Sequence, residues 1–105
     1  MPVTVQHIIQ HMESLAPQAL AAEWDNCGLL LGSSTKPVQR ILLALEADMA
    51  VAAEAKEKGC ELLIVHHPLI FKPLKKLLAG DYVSDVLAAL IKADIACYAA
   101  HTNLD

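Results

Sequence analysis

Three short apolar runs, Ile41–Leu45, Leu62–Val65 and Ile95–Ala100, are separated by two stretches with helical spacing. Strands half-exposed to water alternate apolar and polar residues. Continuous apolar runs instead mark strands buried in a parallel sheet, whose crossovers lay helices over its faces. The first crossover opens at Asp48, a good N-cap, reaches about Lys58 and meets Gly59 where a left-handed C-terminal cap belongs. The second opens at Asp81 and runs to about Lys92, with Val83, Val86, Leu87, Leu90 and Ile91 on its inward face. The expectation is an α/β fold: a mostly parallel sheet with flanking helices, covered on both faces, with Ile41–Leu45 as a buried strand.

Upstream, Val5, Ile8, Ile9, Met12 and Leu15 form one stripe of a helix that Thr4 caps and that ends before Pro17. His7 and His11 are four apart, but they flank that stripe without acidic companions and read as solvated surface. Glu23-Trp24-Asp25-Asn26-Cys27-Gly28 carries turn chemistry and reads as a loop. Leu29-Leu30-Leu31 is a short apolar run closed by Gly32, and a polar connector with Ser33, Ser34 and Pro37 follows. Pro73 and interspersed lysines leave Leu69–Gly80 without an assigned element.

A chain of 105 residues suffices for one hydrophobic core, so residues 1–105 are expected to form a single α/β domain. Hydrophobic residues make up 55% and charged residues 19%, which excludes a disordered chain. Aromatics at 4% and a net charge of −4 argue against direct nucleic-acid binding. Lys72, Lys75 and Lys76 are the nearest approach to a basic patch and read as a solvated loop edge. No stretch approaches the ~20 apolar residues of a membrane helix, and Met1–Gln10 has no signal-peptide pattern, so a cytoplasmic location is expected. Cysteines at 27, 60 and 97, without a C-x-x-C pair, form neither a disulfide framework nor a cysteine zinc site. Cys60 and Cys97 read as small buried hydrophobes. The sequence stops at Asp105 directly after a strand pattern, the form expected of a fragment or truncated form of a longer protein.

Ligands in open parallel sheets bind beyond the carboxyl ends of strands. His66 and His67 follow one apolar run, and His101 follows the next. Imidazole is the commonest metal ligand, and several with a carboxylate suit zinc, iron or manganese. Successive residues of a strand face opposite ways, so His66 and His67 share a site only where the chain turns, as Pro68 permits. Asp105, four residues beyond His101, is placed to converge with it, and its two oxygens suit a bridge between two ions. Two ions at four to six ligands each need about eight to twelve bonds, while these four residues offer about five. Glu46 and Asp48 are the nearest reserve, with capping the better role for Asp48. No phosphate loop and no nucleophile motif is present, and Glu23 and Asp25 have no acid–base partner.

Three stretches resemble the Nif3-like family, the dinuclear-metal proteins that include the GTP cyclohydrolase 1 type 2 homologues. They are Glu23-Trp24-Asp25-Asn26-Cys27-Gly28-Leu29-Leu30-Leu31-Gly32, His66-His67-Pro68-Leu69-Ile70-Phe71, and His101-Thr102-Asn103-Leu104-Asp105. The resemblance implies that His66, His67, His101 and Asp105 are ligands of two divalent metal ions. It also implies a fold of two similar lobes, of which this chain is the amino-terminal one, and a ring-shaped homohexamer. A further His and Glu, supplied in the family near the carboxyl terminus of a much longer chain, have no counterpart here. Cys27 stands where the family more often has an aliphatic residue, and Glu46 lies near a position commonly Asp. The implied activity is metal-dependent hydrolysis of a nucleotide or another phosphorylated or cyclic small molecule. The alternative is a metal-bound scaffold or regulatory interaction protein.

Overall fold

The computed structural model describes residues 2–17, 26–71 and 74–101. The elements run α1 (Val5–Leu15), β1 (Gly28–Leu31), β2 (Ile41–Glu46), α2 (Met49–Glu57), β3 (Leu62–His67), α3 (Tyr82–Lys92) and β4 (Ala96–Ala99). Each helix starts where a short polar side chain captures its first amides. Thr4 and His7 do so reciprocally at α1: Thr4 Oγ1 accepts from the His7 amide at 3.4 Å, and His7 Nδ1 accepts from the Thr4 amide at 3.0 Å. Asp48 accepts from the Val51 amide at 2.7 Å at the head of α2, and Asp81 from the Ser84 amide at 3.1 Å at the head of α3. Gly59 takes the left-handed conformation (φ 69°) expected of it beyond α2.

The sheet order is β1-β4-β3-β2, with β2, β3 and β4 parallel and β1 antiparallel to β4. One face, carrying Leu63, Val65, Cys97 and Ala99, packs against Ala52 and Ala55 of α2 and Val86 and Leu90 of α3. The other, carrying Leu62, Ala96 and Tyr98, packs against Val5, Ile8, Ile9 and Met12 of α1. Leu62, Leu63 and Leu90 are no more than 1% exposed. Each contributes about 1.5–3 kcal/mol of transfer free energy. Cys60 and Cys97 are buried as expected, and burial pushes the Cys97 thiol up to about 12.

The expected coverage of both faces fails at β2. Ile41, Leu43 and Leu45 are 38%, 72% and 62% exposed, so this strand is a half-covered sheet edge rather than a buried one. The reason is lateral: α1 lies over the β1–β4–β3 side of its face, and β2 extends past it. Only Leu42 and Ala44, which point towards α2, join a core. Between β3 and α3 the described residues form no helix or strand, and Phe71, Leu74, Leu77 and Leu78 are exposed.

Candidate metal centre

Three parallel strands deliver their carboxyl ends to one rim of the sheet. β4 brings His101 just past its end, the adjacent β3 ends on His66-His67, and the outer β2 ends on Glu46. The register places Val65 beside Ala99 and Glu46 beside His67. The β3–β4 ladder closes there, with the Ala100 amide donating to the Val65 carbonyl at 2.9 Å. Pro68 has no amide to extend it.

The three imidazoles converge at this point. Ring centroids are 5.1 Å apart for His66–His67, 5.2 Å for His66–His101 and 5.6 Å for His67–His101. One ring nitrogen from each lies within 4.8 Å of the others. His66 and His101 are half-buried and His67 is exposed, so the cluster opens to solvent on one side. His66 Nδ1 lies 2.7 Å from the Ala100 carbonyl oxygen. Since a carbonyl only accepts, Nδ1 carries the proton and Nε2 keeps its lone pair for a ligand. Asn26 donates to the Ile70 carbonyl at 2.5 Å, tying the chain before β1 to the segment that follows Pro68.

This donor set fits a divalent first-row metal ion: three imidazoles, one with its tautomer fixed by a backbone oxygen. A single tetrahedral ion with bonds of about 2.0–2.1 Å holds its nitrogens about 3.3–3.4 Å apart, somewhat closer than the span seen here. Asp105 lies outside the described residues, as do Glu23, Trp24 and Asp25. Asp48 is occupied at the α2 cap, and His7 and His11 sit on α1 outside the cluster. Sequence reasoning assigned no role to the Ala100 carbonyl or to the Glu46–His67 pairing. Both depend on register, which no local motif encodes.

An α/β domain whose adjacent parallel strands end in a histidine cluster defines a class of chain built to present ligands from a sheet rim. Residues 3–105 match the family model of Duf34/NIF3 (NGG1p interacting factor 3), and the chain belongs to that family. A GTP cyclohydrolase 1 type 2 homolog of Halalkalibacterium halodurans is 44% identical over 100 residues, covering 95% of this chain and 27% of the relative. A hypothetical protein of Staphylococcus aureus superposes with a TM-score of 0.96 at 38% identity, covering 100% of this chain and 30% of that one. A Bacillus cereus protein related to NIF3 gives a TM-score of 0.94 at 42% identity, covering 100% and 29% respectively. The chain therefore spans less than a third of the length of these three proteins, as the 27%, 30% and 29% shares state. No helix among the described residues is long and apolar enough to cross a membrane.

Proposed function

We propose that this chain supplies one half of a dinuclear metal centre in a metal-dependent hydrolase, acting on a nucleotide or another phosphorylated or cyclic small molecule. The observation that carries the reading is the convergence of His66, His67 and His101 within 4.8 Å at the rim of a parallel sheet. His66, His67, His101 and Asp105 are the proposed ligands of two divalent ions, with zinc, iron and manganese the candidates. Such ions, when bound, supply Lewis-acid activation of water and of the bond it attacks. The chain's own part is to hold the imidazoles in place. The Ala100 carbonyl fixes the His66 ring, and the β3–β4 ladder fixes His101 relative to it. The exposed side of His67 leaves an approach for a small-molecule substrate. GTP cyclohydrolase 1 type 2 is the name borne by relatives, and no described residue selects GTP.

A second reading, a metal-bound scaffold that works through homo-oligomeric or other contacts, draws support from the uncovered apolar face of β2. The hexamer expected from family resemblance belongs with it. Elemental analysis of protein purified without chelators tests the centre, on this chain and on His67→Ala. Metal held by this chain and lost in the variant is expected, and about two ions per chain would mean that its own residues complete the centre. A metal content indifferent to His67 would refute the ligand assignment. Nucleotide turnover with added metal, abolished in His66→Ala, separates the hydrolase from the scaffold.

A further inference from the structure

Beside the imidazole cluster, a shallow cavity of about 100 Å³ lies between the end of β2, the His67-Pro68-Leu69 turn and the head of α3. That volume is room for a few waters, enough for one small functional group. Its polar walls are Glu46, His67 and Tyr82, and its apolar walls are Pro68, Leu69 and Val83. Among the described residues, no lysine or arginine lines it. The placement follows from register, because Glu46 pairs with His67 across the parallel β2–β3 ladder. Residues paired in this way put their side chains on one face of the sheet.

The sign of the charge decides what such a cavity accepts. Two helix amino termini lie close by, and their dipoles would ordinarily attract an anion. Here both are already answered by their own carboxylates: Asp48 takes the Val51 amide at 2.7 Å, and Asp81 takes the Ser84 amide at 3.1 Å. Glu46 adds a third negative charge at the wall itself. Partial desolvation, followed by the Asp48 and Glu46 carboxylates, holds the Tyr82 phenol above its usual value of 10, so its hydroxyl stays protonated at neutral pH. A phosphate would face the Glu46 carboxylate there, whereas a group with two adjacent N–H donors would find in that carboxylate a fork of acceptors.

We propose that this cavity is a specificity subsite of the same centre, in which Glu46 and Tyr82 hold an amidine-type group of the substrate against the His67 side of the cluster. The proposal rests on reading the histidine cluster as the reaction centre. It gives the substrate a direction, with its N–H-bearing end on β2 and its scissile end over the imidazoles. Glu46 is then a specificity residue, and metal retention does not depend on it.

The test is a titration of the ¹⁵N-labelled chain with acetamidinium chloride, and separately with sodium acetate. It is run on wild type, Glu46→Gln and Tyr82→Phe, with metal content measured on each sample. Acetamidinium should shift the amides of Glu46, His67 and Val83 saturably. Glu46→Gln, which keeps the shape and removes the charge, should weaken that binding about tenfold. Tyr82→Phe should weaken it less, acetate should leave these amides unmoved, and metal content should match wild type in both variants. Acetamidinium binding unchanged in Glu46→Gln, or acetate shifting the same amides, would overturn the proposal. So would loss of metal in Glu46→Gln, which would make Glu46 a ligand rather than a substrate contact. The titration needs no metal, so a chain that holds none defeats the hydrolase reading while the subsite is still judged on acetamidinium alone.

Discussion

Replacing Gly32 by alanine puts a methyl group where β4 already stands. Gly32 follows β1 with φ 112°, and a Cβ built there would lie 2.6 Å from the Ala96 Cβ and 2.9 Å from the Ala96 Cα. Ala96 is 1% exposed and is paired with Leu62 of β3, so it has little freedom to retreat. Two costs add: a non-glycine residue at such a φ is strained by about 1–3 kcal/mol, and overpacking a filled site costs about 1–3 kcal/mol more. The sum, about 2–6 kcal/mol, is a large share of the ~5–15 kcal/mol that holds a domain folded. Gly59→Ala is the matched control, since its φ of 69° is left-handed too but its nearest neighbour is Arg40 Nη1 at 3.9 Å. That variant carries the backbone cost alone, about 1–2 kcal/mol. Urea unfolding followed by circular dichroism reads the difference. With a slope of about 2 kcal/mol per molar, Gly32→Ala should lower the midpoint by about 1–3 M, and by clearly more than Gly59→Ala. Equal losses in the two variants would refute the argument, because they would mean that β1 does not approach β4 as closely as the structure places it.

Leu43→Lys, at a site 72% exposed on the β2 edge, should leave the far-ultraviolet spectrum intact and reduce concentration-dependent light scattering; scattering unchanged by the lysine would show that this face does not self-associate. Cys97, fully buried and pushed up to about 12, should resist iodoacetamide at pH 8 until the chain unfolds, while the half-buried Cys27 reacts first; mass spectrometry of partly modified protein decides the order. The same shift carries a pH signature. The folded state keeps the Cys97 proton that the unfolded chain releases near its ordinary value of 9, so stability falls as pH rises from about 9 towards 12, and Cys97→Ala should flatten that fall. Asp81→Ala removes bonds to the Ser84 amide (3.1 Å) and hydroxyl (2.8 Å) at the head of α3, and should cost about 1 kcal/mol, seen as a melting temperature lower by about 4–8 °C.

The parts of this fold that local chemistry decides were legible before the structure. Thr4, Asp48 and Asp81 announce three helix starts because a capping side chain acts within three residues of itself. What local chemistry does not decide was misread or left open. The run Ile41–Leu45 looks the same in sequence whether its second face meets a helix or water, and only the lateral position of α1 settles it. The antiparallel entry of β1 beside β4 is likewise a matter of strand order. At the site, the rule that ligands gather at strand ends pointed to His66, His67 and His101 together, and the three rings do meet. The tautomer of His66 and the proximity of Glu46 to His67 came from the register of paired strands. Asp105, which the sequence argument joined to them, lies beyond the described residues.

The adjacency of β3 and β4 has one more consequence. His66 and His67 ride on one strand and His101 on its neighbour, so a slip of a single residue between them would send side chains to the wrong face and scatter the three rings. A ligand that needs all three imidazoles therefore acts as a gauge of strand alignment: it binds the correctly zipped sheet and ignores every shifted one. Its binding free energy would be added to the native register alone, by an amount that grows with ligand concentration. Metal supplied during refolding should then act as a proofreader of the sheet as well as an occupant of its rim.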